Sequence, residues 1–178
     1  MNHKIIDKKH KQEITELFTN TFTASEGEKE GKLIGTLVSE LSSNIDDKEN
    51  ICFGTYVEDL IVGCIFFTRL YFNESIEVYM LAPVAVSTNY QGKGIGQSLI
   101  KHGLDELKKR KVSVVVTYGD PAFYSKVGFS ALSEDVIKAP HKLSMPFGWL
   151  GQSLTDKSIP VINDKPVCVK EFNNPLYW

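Results

Sequence analysis

The chain has 178 residues, of which 42% are hydrophobic and 24% are charged, values typical of an ordinary globular protein with one domain. Its 20 basic and 22 acidic residues leave a net charge of −2, so no basic excess indicates binding to nucleic acid. No apolar run approaches the length of a membrane span and the first residues contain no apolar signal core, so we expect a cytoplasmic protein without a membrane partner.

Two amphipathic helices are predicted near the start of the chain. Apolar residues recur at helical spacing over residues 9–23 and again over 28–42. The polar stretch 44–50 then indicates a loop. We expect surface positions, on helices or in a tail, for His3, His10 and His102.

Three strands joined by short turns are predicted next, over residues 51–57, 61–72 and 76–86. The short turns favour an antiparallel meander, and the second strand is apolar along nearly its whole length, as a central strand would be. Pro83 interrupts the third strand. Because proline cannot donate a hydrogen bond to a neighbouring strand, a bulge or a break in pairing is expected near it.

A strand–helix–strand unit follows. Residues 92–111 have the clearest helical pattern of the chain, and the apolar residues 112–118 predict a buried strand after it. This order predicts a right-handed parallel crossover. Gly103 lowers the stability of the helix by about 1 kcal/mol relative to alanine. A close approach of the helix to the sheet would explain a glycine at this position.

The rest of the chain is less regular. An aspartate–proline pair at 120–121 predicts the start of a short helix that ends at Gly128. A short strand is predicted at 129–132. Residues 133–166 follow no clear pattern, and a last strand is predicted at 167–172.

The three cysteines, Cys52, Cys64 and Cys168, are far apart in the sequence. None belongs to a C-x-x-C pair, and each lies in an apolar run typical of a strand. We therefore expect buried, reduced thiols, which suit a reducing compartment such as the cytoplasm. No metal site is predicted.

The most informative segment is a glycine-rich loop. Glycine occupies every second position at Gly92, Gly94 and Gly96, in the segment that joins an apolar strand to a predicted helix. A helix start leaves about four N–H groups without partners and carries roughly half a positive charge, so this loop is suited to bind phosphate or pyrophosphate. A Rossmann fingerprint is excluded because position 97 is Gln rather than Gly, and the P-loop pattern is absent. A glycine-rich turn before an ordinary helix is the alternative.

Four segments, in order, resemble the GNAT acyl-CoA N-acetyltransferases, and together they cover about residues 78–132. The loop Q-G-K-G-I-G at 91–96 resembles the family's pyrophosphate loop, Q/R-x-x-G-x-G/A. L-A-P-V-A-V-S precedes it, and V-S-V-V-V-T-Y and D-P-A-F-Y-S-K-V-G-F follow it, the last similar to the family's F-Y-x-x-x-G-F. The pieces P-V-A-V and G-D-P-A-F-Y look like a bacterial subgroup of predicted acetyltransferases whose substrates are mostly unassigned.

The resemblance implies an α/β (α+β) GNAT fold, with helices flanking a mixed central sheet whose fourth and fifth strands splay apart. One domain would cover residues 1–178, with its core over 1–132. Acetyl-CoA would be the cosubstrate, its pantetheine arm against the fourth strand and its pyrophosphate on the glycine loop, and no metal is implied. The expected cofactor-binding residues are Val84, Ala85, Val86, Gln91, Gly92, Lys93, Gly94, Ile95, Gly96 and Gln97.

The same resemblance assigns two catalytic roles. The backbone N–H of Val86 is expected to stabilise the oxyanion of the reaction. Tyr124 matches the family's acid tyrosine. With a reference pKa of about 10 it remains protonated at neutral pH and can donate a proton to the departing thiolate. The alternative for Tyr124 is a packed aromatic residue beside Phe123.

No residue stands out as the base that removes the proton of the substrate amine. Met80 lies near a position where some family members carry a glutamate. Glu77 is nearby, but a surface charge at the end of a strand is the favoured interpretation. His141 lies in the irregular segment, where a structural or solvated role is favoured. A chain of water molecules can relay the proton instead.

The sequence therefore predicts direct transfer of an acetyl group from acetyl-CoA to a primary amine of a small molecule, protein or peptide. A non-catalytic acyl-CoA-binding module or sensor on the same fold is the alternative. An unrelated nucleotide-binding domain is disfavoured by the missing phosphate-loop spacings. Three aromatic residues near the end of the chain are Trp149, Tyr177 and Trp178. They could form a wall of the substrate site or a contact in a homodimer, or they could serve ordinary packing.

Overall fold

The computed structural model describes every residue of the chain, Met1–Trp178. The helices are α1 (Lys11–Glu26), α2 (Glu28–Ser43), α3 (Ile95–Lys109) and α4 (Pro121–Tyr124). The strands are β1 (Asn2–Ile5), β2 (Asn50–Val57), β3 (Leu60–Tyr71), β4 (Val78–Val86), β5 (Val114–Tyr118), β6 (Ser130–Ala131), β7 (Trp149–Ser153) and β8 (Val167–Cys168). Short 3-10 turns lie at Lys8–His10, Thr88–Tyr90, Ser125–Val127, Pro146–Gly148, Lys170–Phe172 and Pro175–Tyr177.

The strands form a single sheet in the order β1-β2-β3-β4-β5-β7-β6, and β8 pairs with β3 outside this path. β4 and β5 are parallel, and α3 forms the crossover that such a pair needs. The pairs β1–β2, β3–β8, β5–β7 and β6–β7 are antiparallel. The mixed sheet predicted from the sequence is confirmed. No helix has both the length and the apolar character that a bilayer span requires.

The chain divides into two compact units, each made of two segments. The first unit comprises Met1–Phe67 and Pro83–Gly103, and the second comprises Thr68–Ala82 and Leu104–Trp178. The single GNAT domain expected from the sequence stays a prediction.

In the first unit, α1 and α2 pack closely because small residues face each other. A Cβ at Gly31 would lie 2.9 Å from the carbonyl oxygen of Thr19, so a larger residue would force the two helices apart. Gly103 makes the close approach predicted for it, because an added Cβ would lie 2.5 Å from Cε2 of Phe67. The buried side chains of α1 and α2 include Ile14, Phe18, Leu37, Val38 and Leu41.

In the second unit, β5 is a buried central strand with β4 on one side and β7 on the other. Its residues Val114, Val115 and Val116 are buried. Trp149, the first residue of β7, is also buried, and its indole Nε1 donates a 2.9 Å hydrogen bond to the Ile137 carbonyl. This bond satisfies the only polar atom of the ring inside the core.

The two ends of the chain differ from the sequence-based expectation. The first residues are not a tail but the strand β1, which pairs with β2 from Asn2↔Tyr56 to Ile5↔Phe53. The segment without a clear pattern contains β7. The predicted last strand is limited to β8, and the 3-10 turn Lys170–Phe172 follows it. Such short strands depend on distant partners and carry little periodicity of their own.

The strand β4 also differs in detail from the prediction, because it passes through Pro83 and continues to Val86 without interruption. The predicted break in pairing lies beside the proline instead: the register with β5 ends at Leu81↔Thr117. The helix predicted from residue 92 begins at Ile95, which leaves the first two glycines of the loop outside it.

The three cysteines are free and buried, as predicted. The Sγ atoms of Cys52 and Cys64 lie 3.3 Å apart, on neighbouring strands. Burial raises the pKa of the Cys52 thiol well above its usual value, and the adjacent Cys64 raises it further. The Cys52 thiol is therefore protonated and unreactive at neutral pH.

Candidate functional site

The glycine loop between β4 and α3 has a backbone that requires glycine. Gly92 and Gly94 adopt φ angles of 73° and 75°, in the left-handed region that other residues rarely enter. No atom lies within 4 Å of a Cβ built at either position. The two glycines are therefore needed for backbone conformation and not for close packing, and the space above them is open.

The loop leads directly into the first turn of α3. The first backbone bond of this helix runs from Ser98 N–H to the Gly94 carbonyl, at 3.0 Å. The N–H groups of Ile95, Gly96 and Gln97 therefore have no acceptor within the helix. The first turn contains no acidic residue. This helix start is electrostatically suited to an anion.

Two side chains of the loop are held by nearby carbonyl groups. Gln91 donates from Nε2 to the Val86 carbonyl, at 2.9 Å. Lys93 donates from Nζ to the Asn89 carbonyl, at 3.2 Å, and lies 5.1 Å from the centre of the Tyr90 ring. Gln91 thus fixes the loop to the end of β4. Lys93 places a positive charge at the start of α3.

The end of β4 leads into this loop. Ala85 is buried, whereas Val84 and Val86 are only half-buried, as expected where alternate residues face opposite sides of a strand. The first unit therefore brings together all the residues predicted to bind the cofactor, from Val84 to Gln97.

In the second unit, the pairing of β4 with β5 ends at a hydrogen-bonded side chain. The last pair in register is Leu81↔Thr117, and Thr117 Oγ1 donates a 2.7 Å hydrogen bond to the Leu81 carbonyl. β4 continues beyond this pair to Val86, while β5 ends at Tyr118. Sequence reasoning missed Thr117, whose only signal is a polar residue at the end of a valine-rich strand.

The predicted acid, Tyr124, is the last residue of α4. This short helix begins as expected, because the Asp120 carboxylate accepts a 2.9 Å hydrogen bond from Ala122 N–H. The Tyr124 ring packs edge-on against Phe123 and Phe129, with centroids 5.0 and 5.8 Å apart. The ring is half-buried. It is therefore a packed aromatic residue, the alternative that the sequence left open.

The surroundings of Tyr124 keep its hydroxyl protonated. The pKa of Tyr124 is raised to about 12, chiefly by burial. A hydrogen bond with the Thr117 side chain lowers this pKa, and the negative charge of Asp120 raises it. The Tyr124 ring packs directly against Gly119. A side chain at position 119 would collide with it, because an added Cβ would lie 2.6 Å from Tyr124 Cε2. The phenol can act as a proton donor across the neutral range.

The residues considered as a base have other partners. The Glu77 carboxylate lies 3.3 Å from Arg69 Nη1 and its side chain is 46% exposed. Glu77 precedes β4, and seven residues of extended chain, about 23 Å, separate it from Val84. His141 Nε2 lies 2.9 Å from Asn173 Oδ1. Met80 is buried and has no titratable group.

The predicted surface positions are only partly correct for His3 and His102, which also contact other side chains. His3 lies in β1, where Nδ1 is 2.9 Å from Thr55 Oγ1 and Nε2 is 2.8 Å from Ser98 Oγ. Its ring is 5.3 Å from that of His102, which also packs edge-on against Phe53. Both histidines are half-buried, and His3 connects β1 to the first turns of α3.

The aromatic residues near the C-terminus form a packed cluster. Trp178 is buried, its Nε1 donates a 2.9 Å hydrogen bond to the Phe172 carbonyl, and its ring stacks on Tyr118 at 6.4 Å. Trp149 lies 6.2 Å from Trp178, and Tyr177 packs edge-on against Phe172. Ordinary packing accounts for Trp149 and Trp178. No group of three or more His, Cys, Asp or Glu side chains is arranged to hold a metal ion.

Comparison with known proteins gives the family. A sequence model described as an acetyltransferase (GNAT) domain matches residues 48–131. The uncharacterized N-acetyltransferase YjhQ of Escherichia coli K12 is 31% identical over 157 residues, which cover 85% of this chain and 83% of YjhQ. The chain belongs to the GNAT acetyltransferase family. The resemblance stated from the sequence is thus confirmed.

Solved GNAT structures share the fold. The E. coli N-acetyltransferase YhbS, crystallised with CoA, matches with a TM-score of 0.77 and 23% identity, over 97% of this chain and 92% of that structure. A GNAT acetyltransferase from Brucella melitensis, crystallised with acetyl-CoA, matches with a TM-score of 0.65 and 20% identity, over 90% of this chain and 92% of that structure. The fold of this chain is therefore the GNAT fold.

Proposed function

We propose that this chain is an N-acetyltransferase that moves the acetyl group of acetyl-CoA directly to a primary amine of a small molecule, protein or peptide. The observation that carries this proposal is the open glycine loop at the start of α3, in which Gly92 and Gly94 hold left-handed conformations. Membership of the GNAT family and the crystallised CoA and acetyl-CoA complexes of its structural relatives support the choice of cosubstrate.

The pyrophosphate of acetyl-CoA would bind the N–H groups at the start of α3, where no acidic residue opposes it. Lys93 would add a positive charge by exchanging its bond to the Asn89 carbonyl for a phosphate oxygen. Val84, Ala85 and Val86 would line the pantetheine arm, their backbone groups pairing with its amides as a neighbouring strand would.

The chemistry requires stabilisation of charge at two moments. When the neutral amine attacks the thioester, negative charge develops on the carbonyl oxygen, and the Val86 N–H would donate to it. When the C–S bond breaks, the thiolate takes a proton from the Tyr124 hydroxyl. The raised pKa of Tyr124, about 12, keeps its hydroxyl protonated at neutral pH.

No side chain is proposed as the base. Glu77 is paired with Arg69 and His141 with Asn173, so we propose that water relays the amine's proton to solvent. Free, buried cysteines support a reducing, cytoplasmic location. The near balance of charges argues against a nucleic-acid partner.

The proposal is tested with a panel of amines and N-terminal peptides, incubated with acetyl-CoA while free thiol is measured. Thiol release that depends on an amine is expected. In parallel, CoA should raise the melting temperature, because it binds only the folded chain. Gly94→Asp should abolish both effects, since it places a negative side chain where the pyrophosphate binds.

Gly27→Asp is the matched control, because Gly27 also has a left-handed φ, 96°, and open space at its Cβ. It also places an aspartate at a positive φ but lies outside the loop. Unchanged CoA binding by a folded Gly94→Asp protein would refute the assignment of the loop. CoA binding without thiol release by any amine would favour the alternative, a non-catalytic acyl-CoA sensor.

A further inference from the structure

His3, on β1, is hydrogen-bonded through both of its ring nitrogens. Nδ1 lies 2.9 Å from Thr55 Oγ1 on β2, and Nε2 lies 2.8 Å from Ser98 Oγ in the first turn of α3. The N–H of Ser98 makes the first backbone bond of this helix, to the Gly94 carbonyl at 3.0 Å. His3 therefore contacts the turn of helix that directly follows the glycine loop.

The groups around His3 are positive or neutral. The ring of His102, one turn further along α3, lies 5.3 Å away and packs edge-on against Phe53 of β2. The other charge that acts on His3 is the N-terminal amine of Met1, and no carboxylate is among these charges. The first turn of α3 has no acidic residue either. An imidazolium at His3 thus has no anionic partner in its surroundings.

These surroundings favour a neutral ring while no ligand is bound. The positive end of the α3 dipole opposes a second positive charge nearby. Burial, His102 and the N-terminal amine lower the pKa of His3, in that order of size. A neutral imidazole has one donor and one acceptor nitrogen, so it can bridge the hydroxyls of Thr55 and Ser98 without a net charge.

A bound pyrophosphate would reverse this balance. The start of α3 is the proposed phosphate site, and Ser98 lies four residues after Gly94, about 6 Å along the helix axis. Opposite charges still attract each other over such distances, because they are separated by less than the screening length of ordinary buffers. Phosphate oxygens at the helix start would therefore favour the imidazolium form of His3.

We propose that His3 is a positioning residue for the phosphate-binding start of α3 and takes up a proton from solvent when the phosphates of acetyl-CoA bind there. This inference rests on the proposed function. The neutral ring holds Ser98 through a hydrogen bond. The protonated ring keeps that bond, because a hydroxyl can accept from either N–H, and adds a positive charge. By linkage, the factor by which CoA favours this protonation is the factor by which protonation favours CoA.

A proton NMR titration tests the inference without any measurement of activity. The chain has four histidines, and the ring signal of His3 is the one lost in His3→Gln. If that variant does not fold, the signal is found by elimination from variants of the other three. Saturation with CoA should raise the pKa of His3 by about 0.5–1 pH unit. An unchanged pKa in the CoA-saturated protein would overturn the inference.

The affinity of His3→Gln for CoA separates a charge from a structural contact. The glutamine amide can donate to one hydroxyl and accept from the other, but it carries no charge at any pH. At about pH 8 the two proteins should bind CoA within about twofold of each other, and at about pH 5.5 the parent should bind about 2–10-fold more tightly. The ratio of the two dissociation constants at each pH cancels the protonation of CoA itself.

A purely structural His3 would change the affinity by the same factor at both pH values. That result would overturn the inference. Failure of the proposed function has a different signature, because CoA would then bind without thiol release by any amine. A parent protein that binds no CoA would overturn both the assignment of the loop and the role of His3.

Discussion

The side chain of Gln91 donates a 2.9 Å hydrogen bond to the backbone carbonyl of Val86. A residue of the glycine loop is thereby fixed to the last residue of β4, and the loop backbone is held in place before any ligand arrives. Preorganisation of this kind increases affinity because less order must be created on binding.

Removal of this hydrogen bond should weaken the binding of acetyl-CoA. For Gln91→Ala we expect about a 3–10-fold rise in the dissociation constant of CoA, the effect of losing about 1 kcal/mol, with kcat nearly unchanged. Gln91→Glu should bind more weakly still, since a carboxylate cannot donate to the carbonyl and repels phosphate. Calorimetric titration with CoA measures both variants. An unaltered affinity in Gln91→Glu would exclude this loop as the phosphate site.

The second prediction concerns the acid. Tyr124→Phe should lower kcat about 10–1,000-fold and leave CoA affinity almost intact. Because burial, Thr117 and Asp120 together set the pKa of Tyr124 at about 12, loss of its proton cannot limit the rate below about pH 11. The parent rate should therefore keep rising with pH as the acceptor amine loses its proton. A pH–rate profile checks this, and full activity in the Phe variant would assign the proton to solvent.

The third prediction concerns Glu77, which pairs with Arg69 at the opposite end of β4 from Val84 and Val86. Glu77→Gln should change kcat by no more than a few-fold, and the rise of the rate with pH should persist. An ion pair that is this exposed contributes little to stability. A loss of about 100-fold in kcat with unchanged CoA binding would instead identify Glu77 as the base.

The fourth prediction concerns His3. Its pKa is lowered from the usual value, first by burial, then by the neighbouring His102 and then by the N-terminus. The unfolded chain then binds this proton more readily, so stability is fully present above about pH 6.5, the unfolded pKa. It should fall as the pH drops through that value and level off below the folded pKa.

Urea unfolding at pH 7.5 and at lower pH values measures the effect. His3→Gln should weaken this loss of stability. His10→Gln, on the turn before α1, is the control for the loss of one histidine side chain. Equal pH dependence in all three proteins would remove His3 as the cause.

The glycine loop and α4 could be predicted from the sequence because their physics is local. Left-handed glycines, the start of a helix and an Asp–Pro cap each act within a few residues. By contrast, β1 has little hydrophobic periodicity of its own, and it forms a strand because it pairs with β2. The position of His3 depends on its hydrogen bonds with Thr55 and Ser98. These residues are far away in the sequence, so the contacts could not be predicted from it. Thr117 likewise gains meaning from Leu81 across the sheet.

The predicted roles of Val84, Val86 and Tyr124 came from the family resemblance and not from any local rule. Their assignment to the cofactor and the acid stays a prediction. The structure adds to it the raised pKa of Tyr124 and the end of the β4–β5 register at Leu81 and Thr117.

The end of this register divides β4 into two parts that should tolerate mutation differently. From Val78 to Leu81 the strand is paired with β5 and buried, so substitutions there should act through folding and reduce the amount of soluble protein. From Val84 to Val86 it no longer pairs in that register, and conservative changes should leave the yield intact while altering ligand affinity. A mutational scan of this one strand would therefore separate abundance from affinity within nine consecutive residues.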